Sequence, residues 1–221
     1  MTARERRDIA AIERALRHGA KPARDGGAGG GALAAAEAAR RLSSRAAAEG
    51  LADISYAPAD SPFGPLLLAA TKRGLVRLAF PEEQIDSVLE RLAQKISPRI
   101  VEAPAPLDSA RRELEQYFSG GRRKFELKLD WALVGGFGRR VLRTTSQIPY
   151  GGVLSYAEVA AEAGSPRGSR AAGNALGSNP LPIVIPCHRV LRSGGALGGY
   201  GGGVERKRWL LELEGALSPK T

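Results

Sequence analysis

With 221 residues the chain is long enough for one domain, or two small ones, around a real core, and no covalent staple is required. One cysteine excludes an internal disulfide, and two distant histidines, His18 and His188, exclude a zinc site of the usual Cys and His spacing, so no metal is expected. A net charge of +10, from 33 Lys and Arg against 23 Asp and Glu, makes a polyanion the first partner to consider, with DNA, RNA and anionic lipid all compatible.

Residues 1–50 differ from the rest in being dominated by alanine, arginine and glycine. Ile9, Ile12 and Leu16 fall at helical spacing, and the glycines Gly26, Gly27, Gly29, Gly30 and Gly31 predict a flexible break. Ala32 to Ala48 then has high helix propensity with few large apolar residues. The stretch reads as a loosely attached helical extension, and its arginines, among them Arg40, Arg41 and Arg45, read more simply as a solvated face than as a nucleic-acid contact. Met1 to Asp8 is charged with no apolar stretch of signal-peptide length behind it, and nothing later approaches the roughly 18 apolar residues of a membrane span. A cytoplasmic protein without membrane contact is expected.

From about Asp53 the pattern becomes globular. Leu66 to Thr71 and Leu75 to Phe80 are β-type runs joined by Lys72, Arg73 and Gly74, a hairpin. Ile85, Val88, Leu89, Leu92 and Ile96 make a helical stripe, followed by a short strand at Ile100 and Val101. A helix from about Asp108 carries Leu114, Tyr117 and Phe118, and Phe125, Leu127 and Leu129 alternate as in a strand. This half has no cysteine or histidine, so its expected duty is to support the second half.

After Trp131 the chain reads as mostly helical. Phe137, Val141 and Leu142 share a helix that stops before the turn Ile148 to Gly152. Ser155 is placed to cap the next helix with Glu158 as the reciprocal member of a capping box. That helix ends near Gly164, and a second spans roughly Ser169 to Gly177 before Asn179, Pro180 and Pro182. Two short helices with a tight connection, in a basic protein, fit a helix-turn-helix.

The chemistry concentrates in Ile183, Val184, Ile185, Pro186, Cys187, His188, Arg189 and Val190, where an apolar strand is expected directly before the thiol. A lone buried cysteine is most simply a small core hydrophobe, with a raised pKa and no reactivity, whereas a neighbouring imidazole or cation favours the nucleophilic thiolate. Adjacent residues in an extended chain point to opposite sides, so a turn or a bridging water has to connect Cys187 with His188.

Pro186, Cys187, His188, Arg189 and Val190 together resemble the active-site signature of the O6-alkylguanine-DNA alkyltransferases, the methylated-DNA-protein-cysteine methyltransferases. The similarity extends to Asp130 and Trp131, Ile148, Pro149 and Gly151, Ser155 and Tyr156, Arg170, Asn179 and Pro180, Gly198 and Tyr200, and Trp209 to Gly215, in order and spacing. It covers roughly residues 53–217 and is strongest from 130 onward.

The resemblance implies an α/β plus α fold: residues 51–132 an N-terminal ribonuclease-H-like α/β domain, residues 133–217 a C-terminal helical, winged-helix-like domain whose helix-turn-helix enters the minor groove. It implies stoichiometric, irreversible transfer of an alkyl group from O6-alkylguanine in double-stranded DNA to Cys187, with the base flipped out, no cofactor, and a monomeric protein. In the same comparison Arg170, with Ala171 beside it, lies on the DNA-contacting helix, and Arg170 fills the gap left by the flipped base. Asn179 braces the helix-turn-helix, Tyr156 protonates the leaving guanine, and Glu214 orients His188 in a relay of thiol, water and imidazole. Leu176, Val190, Tyr200 and Gly201 line the guanine pocket. Gly201, Gly199 and Gly177 depart from the serine, asparagine and arginine common there, which removes a hydroxyl and one DNA contact. A damaged-DNA sensor without transfer, and a cysteine hydrolase using Cys187 and His188, are the rival readings, and the retained cysteine, histidine and Glu214 oppose the sensor.

Overall fold

Alternation in the aliphatic runs builds a sheet whose two faces have different clients. The computed structural model describes residues 29–218, so Ile9, Ile12, Leu16, Gly26 and Gly27 lie outside it. Strands β1 (Ile54–Ala59), β2 (Leu66–Thr71) and β3 (Gly74–Ala79) run antiparallel in succession, and β4 (Ile100–Glu102) joins β1 in parallel, giving the order β3-β2-β1-β4. In β2, Leu67 and Ala69 pack with Val88 and Leu92 of helix α2 (Ile85–Lys95). Leu66, Leu68 and Ala70 face the other way, into a core that includes Leu114 and Tyr117 of helix α3 (Asp108–Phe118) and runs on without a break into the second half of the chain. Being covered on both faces explains why β2 reads as a continuous apolar run.

The hairpin expected at Lys72 to Gly74 forms, with Thr71 paired to Gly74. Gly74 sits at φ +131, and a Cβ there would lie 2.2 Å from the Lys128 carbonyl oxygen, so only glycine admits the incoming segment. That segment is not the strand its alternation predicts. Leu75 and the 128–130 backbone exchange two hydrogen bonds (2.9 and 2.8 Å), but the Glu126 N–H is taken by the Glu113 carboxylate at 2.8 Å, and the edge of β3 at Leu78 is occupied by the Pro180 carbonyl at 2.9 Å. With the edge already in use, a full ladder has no partner.

Helix α1 (Gly29–Ala48) takes in Gly29, Gly30 and Gly31, which therefore belong to its first turn and not to a break. Its last turn is anchored, because Ala46 is buried with Ala52, Val101 and Ala103 beside β4.

The second half holds α4 (Gly136–Ser146), β5 (Leu154–Ser155), α5 (Tyr156–Glu162), α6 (Ser169–Gly177), β6 (Val190–Leu191) and α7 (Val204–Leu213). The capping box is present at α5: Ser155 Oγ accepts from the Glu158 N–H at 3.2 Å, and the Glu158 carboxylate accepts from the Ser155 N–H at 2.6 Å. Helices α5 and α6 pack on each other and on α4, and β5 pairs in parallel with β6, which ties the start of the helix pair to the residues just after Cys187.

Candidate active site

The stretch Ile183 to Ile185 is a turn and not the expected strand. The Ile185 N–H donates to the Leu181 carbonyl at 2.8 Å, and Ile183 has φ 72, a left-handed conformation that β-branched residues rarely adopt. Asn179 fastens the turn: its Oδ1 accepts from the Leu181 N–H at 3.0 Å and its Nδ2 donates to the Ile185 carbonyl at 2.9 Å. The same Nδ2 lies 3.1 Å from Cys187 Sγ, so the asparagine at the end of the helix-turn-helix also addresses the sulfur. Cys187, His188 and Arg189 form one 3-10 turn, which leaves the thiol and the imidazole without a direct hydrogen bond among the described residues.

Behind the thiol, His188, Arg189, Tyr117 and the Gly151 N–H converge on Glu214. His188, 0% exposed, places Nε2 2.9 Å from its Oε1. Arg189 donates to both carboxylate oxygens at 2.8 Å, and Tyr117 Oη donates to Oε1 at 2.6 Å. The Gly151 N–H reaches Oε2 at 3.4 Å, and Arg189 also donates to the Ile148 carbonyl at 2.5 Å. The structure places Cys187, His188, Glu214 and Asn179 near one another and adds two partners that spacing did not reveal, Arg189 as a buried bidentate clamp and Tyr117 from the first half.

The electrostatics follow from this packing. Burial pushes the Glu214 carboxyl up, but hydrogen bonds from His188 and Arg189 outweigh it and bring the pKa down to about 2, so the hub is ionised. Burial lowers the His188 pKa against the pull of Glu214, which leaves a neutral imidazole able to accept a proton. Its Nδ1 is buried and meets no hydrogen-bond partner among the described residues. Burial also raises the Cys187 thiol to about 11, opposed by the Asn179 hydrogen bond and the Lys207 charge. At pH 7 a thiol of that pKa is ionised only to about one part in 10⁴, so Cys187 rests protonated and would need a base to act as a nucleophile.

Cys187, 7% exposed, lies at the edge of a cavity of about 740 Å³ between the two halves, bordered there by Leu176, Asn179, Tyr200, Gly201 and Gly202. Val190 lies outside this lining; its side chain is buried and its carbonyl accepts from Lys207 at 2.5 Å. Tyr156 does not line the cavity either, its hydroxyl donating to the Gly199 carbonyl at 3.4 Å. Arg170 and Ala171 are exposed at the start of α6. The replaced positions are open: a Cβ at Gly177 or Gly199 meets nothing within 4 Å, and one at Gly201 only the Gly177 carbonyl at 3.8 Å.

Gly202 is different, because a Cβ there would come within 2.6 Å of the Phe80 ring and 2.8 Å of the Tyr200 ring. Phe80 and Tyr200 stack edge to face at 6.1 Å, and Tyr200 in turn meets His188 edge-on at 6.4 Å. Gly202→Ala is expected to lower thermal stability by about 1–3 kcal/mol as those rings shift. A thermal midpoint equal to the parent's would show that the rings have slack and do not define the cavity wall.

Comparison with known proteins matches this arrangement from both halves. Residues 54–131 match the family described as 6-O-methylguanine DNA methyltransferase, ribonuclease-like domain, and residues 136–216 match its DNA binding domain. The chain is 40% identical over 167 residues to the methylated-DNA-protein-cysteine methyltransferase of Mycobacterium tuberculosis, covering 75% of this chain and 95% of the relative. It is 41% identical over 156 residues to the protein of the same description from Methanosarcina barkeri, covering 70% and 93%.

The chain belongs to the methylated-DNA-protein-cysteine methyltransferase family.

The fold agrees: the crystal structure of the Mycobacterium tuberculosis O6-methylguanine methyltransferase superposes with a TM-score of 0.63 at 38% identity over 76% of this chain and 96% of that one. The OGT protein of the same organism, in complex with DNA, gives 0.62 at 39% identity over 72% and 92%. For a methyltransferase of this family the division of labour is visible, since the ribonuclease-like domain supplies Tyr117 while the DNA binding domain supplies Cys187, His188, Arg189 and Glu214.

Proposed function

We propose that this protein repairs DNA by taking the alkyl group of O6-alkylguanine onto Cys187 Sγ, once per molecule. The observation that carries this reading is the sequence of contacts behind the chain's single thiol: a protonated sulfur, a neutral buried imidazole in the same turn, and an ionised buried carboxylate holding the far side of that imidazole. No hydrogen bond joins Sγ to His188 directly among the described residues, so the thiol proton passes to Nδ1 through one water. The new S–C bond forms as the C–O6 bond breaks, and its electron pair stays on guanine. Guanine then takes a proton from the Tyr156 hydroxyl, which in the free protein stands outside the cavity lining, bonded only to the Gly199 carbonyl at 3.4 Å, and is replenished from solvent while the imidazolium gives up the thiol's proton. The balance closes without an oxidant, reductant or cofactor, and the thioether has no route back.

The base must leave the duplex to reach a sulfur that is 7% exposed. Arg170 and Ala171, exposed on the second helix of the pair, are the residues we place in the minor groove, with Arg170 filling the gap. Leu176, Tyr200 and Gly201 hold the base in the cavity, and Val190 contributes through the backbone it fixes. Arg170→Ala is expected to slow repair of a modified duplex by about tenfold while leaving reaction with the free modified base near the parent's rate, as loss of a gap-filling contact requires. Equal losses on both substrates would remove the extrusion role. Residues 51–132 then act as the supporting domain and 133–217 as the binding and transfer domain. No helix among the described residues is long and apolar enough to cross a membrane, and we place the protein in the cytoplasm as a monomer.

Intact and peptide mass after mixing with a duplex bearing one O6-methylguanine tests the reading. One added methyl on the Cys187 peptide, saturating at one per chain, is the expected result. An unmodified protein that holds the damaged duplex would replace it with the sensor reading.

A further inference from the structure

The cavity that reaches Cys187 is larger than a single flipped base requires: at about 740 Å³ it falls among the clefts that enclose whole drug-sized ligands, and it extends from Cys187 and Tyr200 to helix α2. Gly177 and Gly201 line it without side chains, so nothing narrows it at those two points. Toward α2 its wall is apolar, where Val88 and Leu92 of the helix pack with Leu133. Four cations and two carboxylates also line it, and most of them are engaged. Arg77 pairs with Glu83, Glu82 pairs with Arg206, and Arg139 donates to the carbonyls of Trp131 and Val134 at 2.9 and 2.8 Å. Arg91 and Lys95 are the remainder. Both are exposed, they stand one turn apart on the same face of α2, and neither meets a carboxylate among the described residues.

We propose that Arg91 and Lys95 form a subsite for the far end of a long O6-alkyl group, and that the protein removes, besides methyl, chains that are apolar along their length and end in a carboxylate. The proposal rests on the reading of Cys187 as the alkyl acceptor. In-line displacement puts the reacting carbon between Sγ and O6, so whatever lies beyond that carbon leaves sideways into the cavity. A methyl group uses none of that space. A longer chain passes the apolar wall at Leu92 and Leu133 and brings its terminus to the two cations, where the guanidinium fork of Arg91 matches the two oxygens of a carboxylate. The bonds formed and broken are those of methyl transfer, S–C for C–O6, and the whole chain stays on the sulfur. Because both cations are solvated, the preference for an anionic end is modest and weakens with salt.

Three duplexes test this, carrying O6-methylguanine, O6-carboxybutylguanine or the equally long, neutral O6-carbamoylbutylguanine, with single-turnover transfer followed by the mass of the Cys187 peptide. At low ionic strength the parent is expected to take the carboxylate-ended chain about fivefold faster than the amide-ended one, an advantage that fades as salt is raised. Arg91→Gln combined with Lys95→Gln is expected to bring that ratio to about one and to leave the rate with O6-methylguanine at the parent's; both side chains are exposed, so the fold is not at stake. Equal rates for the two long chains in the parent would overturn the proposal. So would a uniform slowing of all three duplexes in the double variant, which would put the two cations on duplex phosphates. A parent that takes neither methyl nor a longer chain would defeat the repair reading. The Kd values of the parent for the two long-chain duplexes would then decide the subsite, tighter binding of the carboxylate supporting it and equal binding overturning it.

Discussion

Glu214→Gln is expected to destabilise the protein by about 3–5 kcal/mol and to slow alkyl transfer about 10²-fold or more. The carboxylate accepts from Tyr117, His188, Gly151 and twice from Arg189, all of them converging on two oxygens in the interior. A neutral amide offers one acceptor and turns an N–H toward groups that are themselves donors. It also leaves the Arg189 cation, 7% exposed at its side chain, with only the Ile148 carbonyl and the face of Tyr150 at 5.9 Å. The cost of an uncompensated buried charge sets the scale, and for a chain of this size it lowers the thermal midpoint by roughly 10 °C. The pH dependence supplies an independent estimate. A carboxyl depressed from 4.5 to about 2 contributes stability that is fully present above pH 4.5 and is lost as pH falls toward 2. That shift corresponds to on the order of 3 kcal/mol, so parent and variant should differ most at neutral pH and converge in acid. Thermal unfolding of both proteins between neutral pH and pH 3 checks this, and a constant difference across that range would mean that the charge of Glu214 is not what holds the site.

The candidate pair Cys187 and His188 and the local folding signals were legible because they are contiguous or marked by local rules, whereas Glu214, Asn179 and Tyr156 entered only through the family resemblance. Cys187 and His188 are neighbours, Ser155 and Glu158 obey a three-residue spacing, and the hairpin at Lys72 to Gly74 is announced by its flanking runs. Strand β1 escaped because Pro58 and alanines give it no β signature; the proline is tolerated where β4, paired only with Ile54 to Tyr56, has already ended. The Phe125 to Leu129 segment shows the opposite error, a sound alternation without a free edge to pair with. Ile183 to Ile185 looks like a strand because its residues are apolar, and burial alone accounts for that; the direction of the chain is set by the Asn179 side chain, whose bonds no local pattern encodes. Tyr117 meets Glu214 across 97 positions and Lys207 meets Val190 across 17, so each looked like an ordinary helical residue until tertiary structure supplied its partner.

Cys187→Ala is expected to abolish alkyl transfer completely while leaving the fold and the binding of a modified duplex near the parent's. Removal of Sγ costs little because Asn179 keeps its bond to the Ile185 carbonyl and its second N–H faces a cavity that water can enter. The Ile183 turn is held by Asn179 and by backbone hydrogen bonds that do not involve the sulfur, so the positions of His188 and Glu214 survive. Stability should fall by no more than about 1 kcal/mol at pH 7. In alkali the order reverses. A thiol raised from 9.0 to about 11 contributes stability that is present below pH 9 and is lost as pH rises through 11, on the order of 2–3 kcal/mol, and alanine has no such group to ionise. The variant should therefore outlast the parent above about pH 10 in a thermal unfolding series, with Lys207 and the neighbouring tyrosines freed of the Cys187 charge that raises them in the parent. Residual methyl transfer to the alanine variant, detected by mass, would place the acceptor elsewhere and dismantle the site. Loss of duplex binding together with transfer would show that the sulfur holds the fold and not only the reaction, contrary to the role Asn179 plays in the turn.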